Sequence, residues 1–416
     1  MTFKFPTAMR QALRETCAGD VATATSTIQA ALAAHSENTR PGTWADKTPQ
    51  TLLIGSNASG AARPSGETGA AATSKFDTSG NRLRRVGTPN GTPRQSLKSV
   101  LHGLRHSRPD FTVPAARKTT ILPRIADGAR YEQRHFSCSE GARDYRIYVP
   151  GGLSQPAEGL LLMLHGCTQT ADDFACGTGM NQLAEQHNLI ILYPEQNRAE
   201  NPSVCWNWFR PQDQRRGAGE PSLLAALTRQ IEEEFKVKRG RAFTAGLSAG
   251  GAMAATLGAV YPDVYCAIGV HSGLAHGAAH DVPSAFAAMR GDMTFASGSP
   301  ADQSWSDTGR TPRIVFHGSG DGTVHPSNAD RVFGASDDAS AASAESGISA
   351  GGRRYHRTIV ASSKQVSARE LWMIEGSGHA WSGGSATGSF TDPVGPDASA
   401  EMVRFFLQAE SREFSK

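Results

Sequence analysis

The sequence predicts an α/β fold, a mostly parallel central sheet flanked by helices, preceded by a short helical segment and a linker. Three observations predict it. Short apolar runs that end in Gly, Ser, Pro or Glu recur beyond residue 140, as strands covered on both faces do. Helical patterns separate several of these runs, and strand alternating with helix builds parallel crossovers. Before residue 126 there is little from which to build a core.

In chain order, residues 1–36 read as a helical hairpin broken at Gly19-Asp20, with Met9, Leu13 and Cys17 on one stripe and Val21, Ile28 and Leu32 on another. Residues 37–125 form a low-complexity linker, rich in Gly, Ser, Thr and Pro, that cannot bury enough apolar surface to offset its chain entropy. Its second half is basic, from Arg82 to Lys118, with Asp110 opposing. Residues 126–416 are expected to form the main domain. Strands are expected at "RDYRIYVP" (143–150), "GLLLMLHG" (159–166), "NLIILYPE" (188–195), "RAFTAG" (241–246), "AIGVHSG" (267–273), "RIVFHGSG" (313–320) and "RELWMIEG" (369–376). Helices are expected at "MNQLAEQHN", "PSLLAALTRQIEEEF", "GAMAATLGAVYP" and "PDASAEMVRFFLQ".

Composition narrows the function. A net charge of +3 on 416 residues does not mark a nucleic-acid binder. No apolar run reaches membrane-spanning length. The opening twenty residues hold no apolar core and no cleavage site, so the expected address is cytoplasmic. The cysteines at 17, 138, 167, 176, 205 and 266 make no CxxC pair and no metal-ligand spacing.

Gly246-Leu247-Ser248-Ala249-Gly250 fits G-x-S-x-G. In a chain with 44 glycines a lone match is weak. Here, however, a strand pattern precedes it and a small-residue helix follows, as a nucleophile elbow requires. A serine hydroxyl needs a base, and the base needs an orienting acid. In this arrangement the chain order is Ser, acid, His. Asp321 follows one later apolar run and His379 another, each in a glycine-rich loop at the carboxyl end of a strand. His271, His317 and His325 read instead as packing or loop histidines, and Asp263 and Asp330 as surface or capping acids. An oxyanion hole requires the N–H of Ala249 and a second donor from an early loop, which "LLMLHGCTQTADDF" supplies after His165-Gly166.

With these motifs assembled, "LHGCTQTADDFACGTGMNQLAEQHNLIILYPEQN", "CWNWF", "GLSAGGAMA" and "GHAWSGG" resemble, in that order, the catalytic domain of polyhydroxybutyrate depolymerase family esterases. That family is related to feruloyl and acetylxylan esterases within the α/β-hydrolase fold. The resemblance implies a triad of Ser248, Asp321 and His379, with an oxyanion hole from the N–H groups of Cys167 and Ala249. It implies that Cys167 pairs with Cys205, whereas a missing export signal weighs against stable disulfides. Similar family members are often secreted. Trp206, Asn207, Trp208 and Trp381, with His165, are expected to line or support the substrate cleft, with core packing as the alternative for the aromatics. The expected partner is a small ester, an oligoester or a polyester, with no cofactor and no metal. Feruloyl or acetylxylan esterase, acyltransferase and non-catalytic polyester-granule binding protein are the competing readings.

Overall fold

The computed structural model describes residues 122–292, 311–334, 342–361 and 368–409. The expected hairpin (1–36) and all but the end of the expected linker (37–125) lie outside the described residues.

The strands are β1 (Arg130–Cys138), β2 (Gly141–Val149), β3 (Gly159–Leu164), β4 (Leu189–Pro194), β5 (Ala242–Leu247), β6 (Tyr265–His271), β7 (Arg313–Gly318), β8 (Ala342–Ile348), β9 (Arg354–Val360) and β10 (Arg369–Ile374). Among the described residues they form one sheet in the order β1-β2-β4-β3-β5-β6-β7-β10-β9-β8. From β4 to β10 the pairings are parallel. At one edge β2 and β1 are antiparallel, and at the other so are β9 and β8. The sheet is therefore mixed, parallel through its centre. The helices are α1 (Ala171–Thr178), α2 (Met180–His187), α3 (Gly219–Glu234), α4 (Ala249–Val260), α5 (Val282–Met289), α6 (Ser327–Phe333) and α7 (Ala398–Gln408). This is the α/β-hydrolase architecture.

The continuous apolar runs have a direct cause. Successive side chains of a strand point to opposite faces, and here both faces are covered. Leu160, Leu162 and Leu164 of β3 share a core with Leu224 and Leu227 of α3 and Met253 and Leu257 of α4. Leu161 and Met163 face the opposite core, with Met180 of α2 and Met402 and Phe406 of α7. Helix α4 is buried from Ala249 to Gly258. Its small residues allow close approach: a side chain at Gly258 would stand 2.9 Å from Ile268 Cγ2. The strands that sequence patterning does not signal are the outer ones. β8 ("ASAESGI") is almost wholly exposed, and β1 is exposed or half-buried at every position but Phe136, leaving no apolar alternation to detect.

Candidate active site

The site gathers where β3, β5, β6, β7 and β10 end. Ser248 follows β5 directly and adopts φ 58°, ψ −118°. A non-glycine residue there stores roughly 1–3 kcal/mol of strain, which the surrounding structure must hold in place. The flanking glycines follow from the sharpness of the turn. A Cβ at Gly250 would collide with the carbonyl oxygens of Leu164 and His165, and one at Gly246 with the Gly250 backbone. The elbow therefore abuts the end of β3, where the His165-Gly166-Cys167 loop begins. Cys167 N–H and Ala249 N–H take no backbone acceptor among the described residues.

His379 Nδ1 and Asp321 Oδ2 lie 2.7 Å apart. Asp321 Oδ1 accepts from the backbone N–H groups of Thr323 and Val324, each at 2.9 Å, so the carboxylate is oriented from both sides. Burial pushes this carboxyl up. The His379 hydrogen bond and charge, with the Val324 N–H and His317, outweigh burial and leave it below its usual range. Ser248 is half-buried, and among the described residues the hydrogen bond of His379 goes to Asp321, not to Ser248. Such contacts commonly tighten only when substrate binds.

Cys167 and Cys205 are joined by a disulfide, S–S 1.99 Å. This ties the loop after β3 to the "CWNWF" segment. A buried polar network surrounds the tie. Glu220, at the start of α3, accepts from Asn207 N–H at 2.7 Å, from Asn207 Nδ2 at 2.9 Å and from Arg143 at 3.1 Å. Gln196 Nε2 donates to Glu220 and to Cys205 O. Burial and the neighbouring Asp213 raise the Glu220 carboxyl, against the Asn207 N–H and the Arg143 charge.

His165, Trp206, Asn207, Trp208 and Trp381, expected to line or support the cleft with core packing as the alternative for the aromatics, stand in packed positions. All five are buried. His165 Nε2 accepts the Gln196 N–H at 3.1 Å, so its proton sits on Nδ1, which donates to Gly166 O at 2.8 Å. Neither nitrogen is left for a ligand, and burial lowers its pKa to about 4. Trp206 Nε1 donates to His165 O, and Trp381 Nε1 to Ser399 Oγ. Asn207 is spent on Glu220 and on Asn201, whose Nδ2 donates to its Oδ1. Trp208 packs edge-on against Phe209. The "CWNWF" aromatics form a frame beneath the site.

Sequence reasoning passed over Gln169, Gln196 and Glu220, and read His271 as a packing or loop histidine. Gln169 Oε1 accepts Gly166 N–H at 2.9 Å, while its Nε2 donates to Asp173 and Ser389. Gln169 and Gln196 carry no motif signal. His271 had one: it ends the strand next to the nucleophile strand.

Fold and site geometry together define an α/β hydrolase with a nucleophile elbow. The family described as Esterase PHB depolymerase matches residues 143–354, just over half of the chain, and the chain belongs to that family. It is 34% identical over 199 residues to poly(3-hydroxyalkanoate) depolymerase C of Paucimonas lemoignei, the match covering 47% of this chain and 48% of that protein. It is 32% identical over 196 residues to feruloyl esterase B of Neurospora crassa, covering 43% and 64%. With a probable acetylxylan esterase A of Aspergillus clavatus it shares 27% over 228 residues, covering 52% and 72%. The chain thus spans about half the length of the depolymerase it matches. Among solved structures, an acetyl xylan esterase from Aspergillus awamori aligns with a TM-score of 0.49 at 20% identity, over 60% of this chain and 93% of that one.

Proposed function

We propose that this chain is a serine esterase that cleaves carboxylic esters through an acyl-enzyme, with short 3-hydroxybutyrate oligomers or the polymer as substrate. The observation that carries the reading is the 2.7 Å His379–Asp321 pair in the loops beside the strained Ser248 elbow. His379 Nε2 takes the Ser248 proton as Oγ attacks the ester carbonyl. The tetrahedral oxyanion is held by the N–H groups of Cys167 and Ala249, donors of a kind worth about 3–4 kcal/mol each to the transition state. His379 then protonates the departing alcohol, and water repeats the sequence on the acyl-enzyme. Asp321 holds the imidazole in the tautomer that leaves Nε2 free to accept.

A second reading, a feruloyl or acetylxylan type esterase, is favoured by the similarity to feruloyl esterase B and to a probable acetylxylan esterase A.

Purified protein and Ser248→Ala, assayed on p-nitrophenyl acetate and butyrate, test the chemistry; equal turnover by the two would end the serine mechanism. Hydroxybutyrate oligomers, acetylated xylan oligomers and feruloyl sugars, compared by kcat/KM, then separate the two substrate classes.

A further inference from the structure

We propose that His271 is a positioning residue for this site, a buried imidazole that locks the loop carrying His379 to the strand end that holds the Ser248 elbow. The proposal rests on the triad reading of Ser248, Asp321 and His379.

His271 is the last residue of β6, in register with Leu247 of β5 on one side and Phe316 of β7 on the other. Its carbonyl accepts the Ser248 N–H at 2.9 Å, so its backbone is part of the elbow. Its ring reaches the other catalytic loop. Ser382 N–H, three residues beyond His379, donates to His271 Nε2 at 2.9 Å. A backbone N–H can only donate, so Nε2 carries the lone pair and Nδ1 the proton, 3.2 Å from Ser272 Oγ. The ring stacks on Trp381 at 5.2 Å between centroids and on Phe316 at 5.8 Å. One side chain is therefore joined to the nucleophile turn through its carbonyl, and to the base loop through its ring.

The state this lock needs is the neutral one, and the surroundings enforce it. His271 is fully buried. Burial, then the charges of His317 and His379, drive its pKa down to about 3 against the opposing pull of Asp321. Because the ring is enclosed and its acceptor is used, it serves the reaction by placing His379. A displacement of about 1 Å between base and nucleophile costs on the order of 10²-fold in rate. Other ties of this loop, Trp381 N–H to Phe390 O and Ser377 Oγ to Asp392, run to the segment that follows it in the chain, while Gly320 N–H to Ser377 O and the His379–Asp321 pair join it to the loop after β7; none of these reaches the elbow.

The test compares His271→Leu with His271→Gln in the full chain on p-nitrophenyl butyrate, with fluorophosphonate titration counting competent sites. The leucine variant is expected to lose about 10²-fold in kcat per titrated site, with KM within about two-fold. Glutamine, which puts an acceptor near the place of Nε2, is expected to recover at least about ten-fold of that loss. Should leucine prevent folding, His271→Asn, too short to reach Ser382, takes its place. A kcat per site equal to that of the parent, or glutamine no better than leucine or asparagine, overturns the positioning role. Ser248→Ala runs alongside: if it retains full turnover the triad reading itself has failed, a different outcome from a failure at His271 alone.

Discussion

Replacing His165 with glutamine isolates the thermodynamic consequence of keeping a buried imidazole neutral. An unperturbed histidine titrates near 6.5, and His165 in the fold near 4. As pH falls, the unfolded chain therefore takes up the proton first. Stability contributed by the neutral ring is complete above about pH 6.5, and is lost progressively until the folded form protonates near pH 4. At pH 5 the gap is about 1.5 pH units, and at 1.36 kcal/mol per unit the loss is about 2 kcal/mol. Glutamine can accept the Gln196 N–H but does not titrate. The assay is equilibrium urea denaturation of parent and His165→Gln at pH 7.5 and 5.0. The parent is expected to lose about 2 kcal/mol more than the variant across that interval. Groups of opposite sign cancel in the difference. Glu232, for example, is raised to about 7 by burial, so it protonates first in the fold and gains stability as pH falls. Equal losses in both proteins would show that His165 titrates alike in the folded and unfolded chain, and would refute the enclosed neutral ring assigned from its contacts.

Further outcomes follow from the same contacts. Asp321→Asn keeps an acceptor for the Thr323 and Val324 N–H groups but loses the charge facing His379; kcat is expected to fall about 10⁴-fold with little change in the thermal melt, read by circular dichroism. Gly250→Ala drives a methyl into backbone oxygens that cannot rotate away, and is expected to cost about 1–3 kcal/mol in urea denaturation as well as activity. Glu220→Gln leaves the buried Arg143 without its countercharge and loosens the Asn207 anchor; denaturation should show a loss of about 3–5 kcal/mol, and kcat should fall through the oxyanion loop.

Much of this protein could be read from its residues in order. Strands covered on both faces and helices with one apolar stripe are local patterns, so the parallel core and its alternation were legible in runs such as "GLLLML" and "LIILYP". So was the elbow, because a turn that brings backbone against backbone admits only glycine at Gly246 and Gly250. The outer strands were not legible. β8 and β9 pair by backbone hydrogen bonds, and a solvated face leaves no periodic trace. The roles of the aromatic and histidine residues were decided by tertiary structure alone. Whether Trp206 faces a cleft or a core, or His271 packs or links two loops, depends on partners scores of residues distant, such as Ser382. Sequence determines which side chains are able to accept, donate or pack. Only the folded chain determines which groups are close enough to satisfy them, because a buried polar group takes whatever partner the packing brings within hydrogen-bond reach.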